Sequence, residues 1–348
     1  MRLSGFDYNL PKELIAQKPA EPRDSSKLLV INRTKRGFLH KRFRHIGQFL
    51  QKGDVIVLNC SKVLPARLRG KKVLTGGFVE TLLLAPVTRK SSDFIWQSRW
   101  KIIGKPKLIV GQQINFTKGL EGEIVEDSGY EKIIEFNQKG ELLRKLIFAL
   151  GETPVPPYIH SRLPEKKLRQ KYQTVYAERL GSVAAPTAGL HFTKRLINNL
   201  KRKGVIFQYI TLHVGLGTFQ PVSVANVEEH KMSAEWATID KKTADFLNKA
   251  RAKGQRVIAV GTTAARTLES FAEDGKLKAG EKMADIFIYP GYQFKFVDAL
   301  VTNFHLPKST PLLLASAFSD KELILLAYKE AIKRNYQFYS FGDAMMLI

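Results

Sequence analysis

The sequence predicts an α/β body with a largely parallel sheet plus an inserted small β-barrel domain. Past Tyr172, strand-like apolar runs alternate with amphipathic helix-like runs, the pattern of strands joined by crossover helices. Between Arg67 and Leu150 this alternation stops, and short apolar or alternating runs follow one another between glycines, the pattern of a small barrel or sandwich. Val55–Asn59, a run typical of a strand buried on both faces, stands ahead of that block. The expected domains are therefore 1–66 joined with 151–348, and 67–150 inserted.

Each element has its own signal. A proline-punctuated entry leads into a strand over Lys27–Ile31, and Gly53-Asp54 turns into Val55–Asn59. Within the block, VETLLLA, KIIG, QQINF, GEIVE and EKIIEFN are separated by glycines such as Gly104, Gly111 and Gly129, and a short helix leaves it over Leu142–Leu150. Pro154–Tyr158, PVPPY, is a stiff exit. A basic amphipathic helix over Phe192–Lys203 stops at Gly204, followed by a strand over Val205–His213 and the glycine turn GLGTF. Lys241–Lys253 is a helix, Arg256–Val260 a strand, Ala264–Glu273 a helix and Asp285–Tyr289 a strand. Thr302–Thr310 is a polar loop, and the chain is helical from Leu312.

Composition narrows the function. The 348 residues are 44% hydrophobic, enough for a core without staples, and the one cysteine excludes disulfide frameworks and cysteine-rich zinc sites. The N-terminus lacks signal-peptide features, and the longest apolar run, Pro311–Phe318, is too short for a bilayer, so a cytoplasmic protein is expected. No interface patch is readable, and a monomer is expected. Lys and Arg number 56 against 32 Asp and Glu, a net charge of +24 that attracts polyanions. Arg33, Lys35, Arg36, Lys41, Arg42 and Arg44 alternate with Phe38, His40, Phe43 and His45, and a further run includes Lys194, Arg195 and Lys201. Basic runs spaced along the chain suit an RNA backbone, with Arg33, Arg36, Lys41, Arg42, Arg44, Lys194 and Arg195 as the expected contacts.

In open α/β sheets, ligands bind beyond the carboxyl ends of the strands. Four segments fit that position: Ala184–Phe192, His213–Phe219, Val260–Arg266 and Thr302–Thr310. Each joins small residues to a reactive side chain, and together they suit a nucleotide-sized pocket. A histidine beside Leu or Phe is about as often a half-buried core residue as a catalyst, but the pattern recurs at three strand–loop junctions. Thr262 and Thr263 alternatively cap a helix, and Arg266 alternatively forms a structural ion pair. His230 and Glu235 frame HKMSAEW, alternatively a plain turn into a strand. No two histidines are spaced as ligands on one element, so no metal is expected.

SVAAPTAGLHFT, LHVGLGTF, VIAVGTTAARTLES, IYPGYQFKFVDALVTNFHLPKST and YQFYSFGDAM resemble the S-adenosylmethionine:tRNA ribosyltransferase-isomerases of queuosine biosynthesis. FDYNLPKELIAQKPAEPRDSSKLLV, GDVIVLN, VLPARL, GGFVETLLL and KYQTVYA extend the resemblance from end to end. It implies transfer of the ribosyl group of S-adenosylmethionine, a co-substrate, to 7-aminomethyl-7-deazaguanine at the wobble position of tRNA with a GUN anticodon. The ribose rearranges to give epoxyqueuosine, and adenine and methionine are released.

The sulfonium acidifies the ribose 5′ protons, so a base is required. The departing adenine needs a proton donor, and the RNA amine must be neutral. Histidine suits proton transfer near neutrality, which makes His191, His213 and His305 the catalytic candidates. Thr187, Gly215, Gly217, Thr262, Thr263 and Asn303 are substrate-binding candidates, and Arg266 and Lys308 are candidates for the methionine carboxylate or an RNA phosphate. The sequence departs from the family pattern at Ser233-Ala234, where His-Ser is usual, and at Ala264, Gln220 and Cys60. An S-adenosylmethionine-dependent tRNA methyltransferase and a catalytically inactive tRNA-binding homologue are the competing functions.

Overall fold

A computed structural model describes residues 1–87, 96–215 and 222–348. β1 (Lys27–Asn32) and β2 (Gly37–Arg42) form a hairpin, followed by β3 (Val55–Asn59) and β4 (Ser61–Val63). Six strands come next: β5 (Arg67–Lys72), β6 (Phe78–Pro86), β7 (Arg99–Lys105), β8 (Gln113–Asn115), β9 (Glu121–Ser128) and β10 (Glu131–Phe136). They are followed by α1 (Gly140–Leu150), α2 (Glu165–Lys171), β11 (Arg179–Ser182), α3 (Lys194–Arg202) and β12 (Ile206–Leu212). β13 (Glu235–Ile239), α4 (Lys241–Ala252), β14 (Val257–Val260) and α5 (Thr262–Phe271) lead to a small hairpin, β15 (Ala272–Glu273) and β16 (Lys276–Leu277). The chain closes with β17 (Gly280–Ala284), β18 (Ala299–Asn303), α6 (Thr310–Phe318), α7 (Lys321–Lys333) and β19 (Ala344–Leu347).

Nine strands form the large sheet in the order β17-β13-β12-β3-β14-β18-β19-β1-β2. Its central strands β12, β3, β14 and β18 run parallel. The rims are mixed: β13, β17 and β2 pair antiparallel with their neighbours, while β19 is antiparallel to β18 and parallel to β1. VIVLN, VIAV and ALVTN are apolar because both faces of the central sheet are covered. Val55 and Val57 pack in the core that includes α4 to α7, whereas Ile56 and Leu58 pack on the other face with α3 and Phe43.

β5 to β10 close into an antiparallel barrel in the order β10-β7-β6-β5-β8-β9. Trp100, Leu68 and Phe116 fill it, and Leu143 and Ile147 of α1 pack on that cluster. Among the described residues, no helix is long and apolar enough to cross a membrane.

Several boundaries differ from the sequence expectation: the helix expected over Ala264–Glu273 spans Thr262–Phe271, and Ala272–Glu273 is the strand β15. The strand expected over Asp285–Tyr289 is not formed; the pairing partner of β13 is Gly280–Ala284 instead. Ile286 and Ile288 are apolar because they pack against the main core, not because they join the sheet. Thr302 and Asn303, expected in a loop, end β18, so their backbone is held by the β19 ladder.

Candidate active site

At the carboxyl edge of the parallel strands lies a cleft of about 670 Å³, its open mouth included. All four sequence-selected segments reach it. Thr187 follows β11, Val214 follows β12, Thr262 and Thr263 open α5, and Asn303 and His305 follow β18. Tyr158, Tyr339 and Ser340 complete the wall. The described lining carries no Asp, Glu, Lys or Arg side chain.

Gly261 lets the α5 turn approach this cleft. Its φ of +89° is strained for any residue with a Cβ. Asn59 at the end of β3 sets the next layer. Its amide donates to the Leu212 carbonyl (2.9 Å) and to Thr263 Oγ1 (3.3 Å), while its Oδ1 accepts from the backbone N–H groups of Ser61 and Leu212. One buried side chain thus locks three adjoining segments, and Thr263 keeps its own hydroxyl proton for the cleft.

The three histidines occupy different environments. His305 is half-buried and is the histidine in the described lining. Its Nε2 lies 3.0 Å from Thr302 Oγ1, and its Nδ1 lies 3.4 Å from the Tyr328 hydroxyl. Tyr328 also accepts the His305 backbone N–H at 2.9 Å, and the Tyr8 hydroxyl donates to the His305 carbonyl. Burial pushes the His305 imidazole down to about 3 from 6.5, so the ring is neutral at physiological pH.

His191 is buried behind the lining, stacked on Phe43 at 4.9 Å. Nδ1 bonds Ser26 Oγ at 2.8 Å, and Nε2 bonds Asn303 Oδ1 at 3.2 Å. The Asn303 amide nitrogen donates to the Tyr339 and Ser340 carbonyls, which leaves Oδ1 as acceptor. His191 therefore carries its proton on Nε2 and receives the Ser26 hydroxyl on Nδ1. Both ring nitrogens of His191 are thus engaged by protein groups. His213 is buried, bonds Ser61 Oγ through Nδ1 at 2.7 Å and stacks on Trp236 at 5.1 Å. The ring packs against Gly181, where a Cβ would lie 2.8 Å from the imidazole and φ is +141°. His213 is not part of the described lining of the cleft.

A pH dependence of stability follows. Burial pushes His191 down to about 4, a shift that the Asn303 bond opposes and Arg23 assists. The unfolded chain then binds more protons than the folded one between pH 6.5 and 4. Stability from this site is complete above pH 6.5 and is lost as pH falls towards 4, to a total of about 3 kcal/mol. Urea unfolding at pH 7 and pH 4.5 checks this: His191→Phe should flatten the difference, and an unchanged slope would contradict it.

The expected cationic anchors are engaged elsewhere. Arg266 is buried and ion-paired with Glu235, and it donates to the carbonyls of Ala284 (2.9 Å) and Ile286 (3.3 Å). The structural ion pair is thus the arrangement formed, and the guanidinium is committed to it. Glu235 Oε1 also accepts the Gly215 N–H at 2.8 Å, which ties that glycine to the pair. Lys308 Nζ lies 2.5 Å from Asp7 Oδ2 at the surface and does not belong to the described lining. Gly217, with Thr218, lies outside the described residues. Ser233 and Ala234 are exposed, while Ala264 is buried in the core, so these departures from the family pattern are not part of the described lining.

Sequence reasoning missed Tyr158, Tyr339, Asn59 and Ser26. Tyr158 sits in PVPPY, legible as a stiff exit but not as a wall; its hydroxyl lies 2.8 Å from Ser340 Oγ and its ring 4.9 Å from that of Tyr339. Among the described residues there is no cluster of His, Cys, Asp or Glu arranged to hold a metal.

The basic residues divide. Arg33 donates to the Phe318 and Asp298 carbonyls and stacks on Phe318, and Arg36 pairs with Asp320 at 2.6 Å. Lys41, Arg42, Arg44, Lys194 and Arg195 are exposed. Arg42 bonds the Ser25 carbonyl and Arg195 lies 3.7 Å from Asp24, so two runs distant in sequence flank the same turn.

A family model described as "Queuosine biosynthesis protein" matches residues 3–347. The chain belongs to this family. It is 50% identical over 353 residues to an S-adenosylmethionine:tRNA ribosyltransferase-isomerase of Symbiobacterium thermophilum, with all of both chains covered. A protein of the same name from Desulfitobacterium hafniense is 48% identical, again over all of both chains. The crystal structure of an S-adenosylmethionine tRNA ribosyltransferase from Thermotoga maritima is similar, with a TM-score of 0.57 and 37% identity. That similarity covers 99% of this chain and 100% of the other.

Proposed function

We propose that this chain is an S-adenosylmethionine:tRNA ribosyltransferase-isomerase acting in queuosine biosynthesis, with the sheet-edge cleft as its active site. Its RNA substrate is tRNA with a GUN anticodon bearing 7-aminomethyl-7-deazaguanine, its products are epoxyqueuosine-tRNA, adenine and methionine, and it works as a monomer without a metal. The observation that carries the placement is an uncharged cleft with a neutral imidazole at its edge. Tyr158 and Tyr339 place aromatic rings in a lining that holds no carboxylate to quench the acidifying effect of a sulfonium cation. Low polarity also disfavours protonation of the attacking amine, keeping it nucleophilic. His305 is the base for the acidified ribose proton: Thr302 Oγ1 at Nε2 and the Tyr328 hydroxyl near Nδ1 orient the ring, and the bond to the unprotonated nitrogen gives way as that nitrogen takes up the proton. Thr187, Thr262, Thr263 and Asn303 supply hydrogen bonds to the co-substrate, and His191, His213 and Arg266 hold the walls.

The test is incubation with S-adenosylmethionine and tRNA carrying the aminomethyl-deazaguanine. Stoichiometric adenine and methionine are expected. S-adenosylhomocysteine would identify a methyltransferase, and binding without any product an inactive homologue.

Lys41, Arg42, Arg44, Lys194 and Arg195 form the phosphate-binding face in this proposal. Arg42→Gln with Arg195→Gln should weaken tRNA binding about 10-fold at 0.15 M salt and reduce the log–log salt slope by about 2. Filter binding across a salt series measures both, and an unchanged slope would exclude this face.

A further inference from the structure

A second, larger depression lies where the barrel meets the body. It measures about 1500 Å³ with its open space, against about 670 Å³ for the cleft measured in the same way. One wall is the outer face of β6 and β7, with Leu82 opposite Ile103 and Glu80 opposite Lys105. The other wall is the rigid Pro154–Pro157 stretch. That stretch runs directly into Tyr158, and Val183 of the groove is two residues from Ala185 of the cleft. Groove and active-site cleft are therefore lined by adjoining stretches of the chain.

The groove's chemistry favours a polyanion with flat bases. Lys105 and Lys107 are exposed and have no ion-pair partner among the described residues. Tyr130 stands 65% exposed at the rim, where its ring is open to stacking. Small closed barrels commonly bind single-stranded nucleic acid on a strand face, through cations for phosphates and aromatics for stacking. A base buried in the cleft also forces its neighbouring nucleotides to leave across the cleft's rim.

We infer that this groove holds the nucleotides flanking the modified base, with Lys105 and Lys107 on phosphates and Tyr130 stacked on a base. The inference rests on the RNA-modifying function proposed above. It assigns the anticodon loop to both parts of the molecule, with the barrel taking the single-stranded flank.

The experiment uses full-length protein and a fluorescein-labelled anticodon stem-loop RNA, read by anisotropy over a salt series. Lys105→Gln with Lys107→Gln should reduce the log–log salt slope by about 1.4, the value for two contacts to a single strand. Tyr130→Ala should weaken binding by about 10-fold, and Tyr130→Phe should restore it. Lys118→Gln with Lys139→Gln makes the same charge change elsewhere on the exposed surface and should bind like wild type. Equal affinity of the groove variants and wild type, or equal weakening by the Lys118/Lys139 control, would overturn the groove while leaving the proposed function standing. Failure of the wild-type protein to bind the stem-loop would overturn both.

Discussion

Replacing His305 with glutamine is expected to lower turnover by about 10²–10⁴-fold while leaving S-adenosylmethionine affinity within a few-fold of wild type. Glutamine retains a polar group near Thr302 Oγ1 but cannot take up a proton. The neighbouring network explains why this ring is suited to the role. Tyr328 accepts the His305 backbone N–H, and its own hydroxyl has Nδ1 as the acceptor within reach. Tyr8 fixes the same loop from the other side through the His305 carbonyl. With its pKa pushed down to about 3, the ring is already in its basic form throughout the physiological range. Activity limited by His305 should therefore show no acid limb near pH 6.5. Single-turnover adenine release against pH measures both effects. A His305→Gln variant within twofold of wild type would remove His305 from the chemistry. The same substitution at His191 acts only through Asn303 and should cost less.

The largest effect on stability is expected at the pair beneath the Gly215 turn. Glu235→Ala leaves the Arg266 guanidinium buried without its carboxylate and also strips the Gly215 N–H of its acceptor. Removing one partner of a buried pair costs about 3–5 kcal/mol, because the remaining charge is left uncompensated. Glu235→Met combined with Arg266→Met removes both charges and should recover much of that loss. Denaturant unfolding of the two variants distinguishes this from simple loss of contacts. If the double variant is less stable than Glu235→Ala, the desolvation account fails.

Much of the architecture was legible because burial on both faces leaves a plain mark. VIVLN read as a strand buried on both faces, VIAV as a strand, and the glycine-spaced runs after Arg67 as a small barrel or sandwich. β19 and β2 were not legible. AMML is a short stretch at the chain end, where length gives no support, and GFLHKR carries the charges of an edge strand that read more readily as a basic run. Asp285–Tyr289 misled for the opposite reason: its apolar residues are buried by packing, while the edge strand Gly280–Ala284 is polar and largely exposed.

The site was legible at the level of loops but not of individual side chains. All four segments converge, since strand–loop junctions of a parallel sheet share one edge. Which histidine faces the cleft depends on partners far away in sequence. Ser26 turns His191 inward across 165 positions, and Ser61 does the same for His213 across 152. No local pattern carries that information. Glu235 likewise showed no sign of meeting Arg266, because the HKMSAEW segment reads as a plain turn into a strand.

The central claim is that S-adenosylmethionine occupies the uncharged sheet-edge cleft beside His305. A crystal structure of the complex tests it directly. The ligand is expected between Tyr158, Tyr339 and the opening turn of α5, with its ribose within reach of the His305 imidazole. Density for the ligand in the barrel groove, or with the ribose turned away from His305, would contradict it.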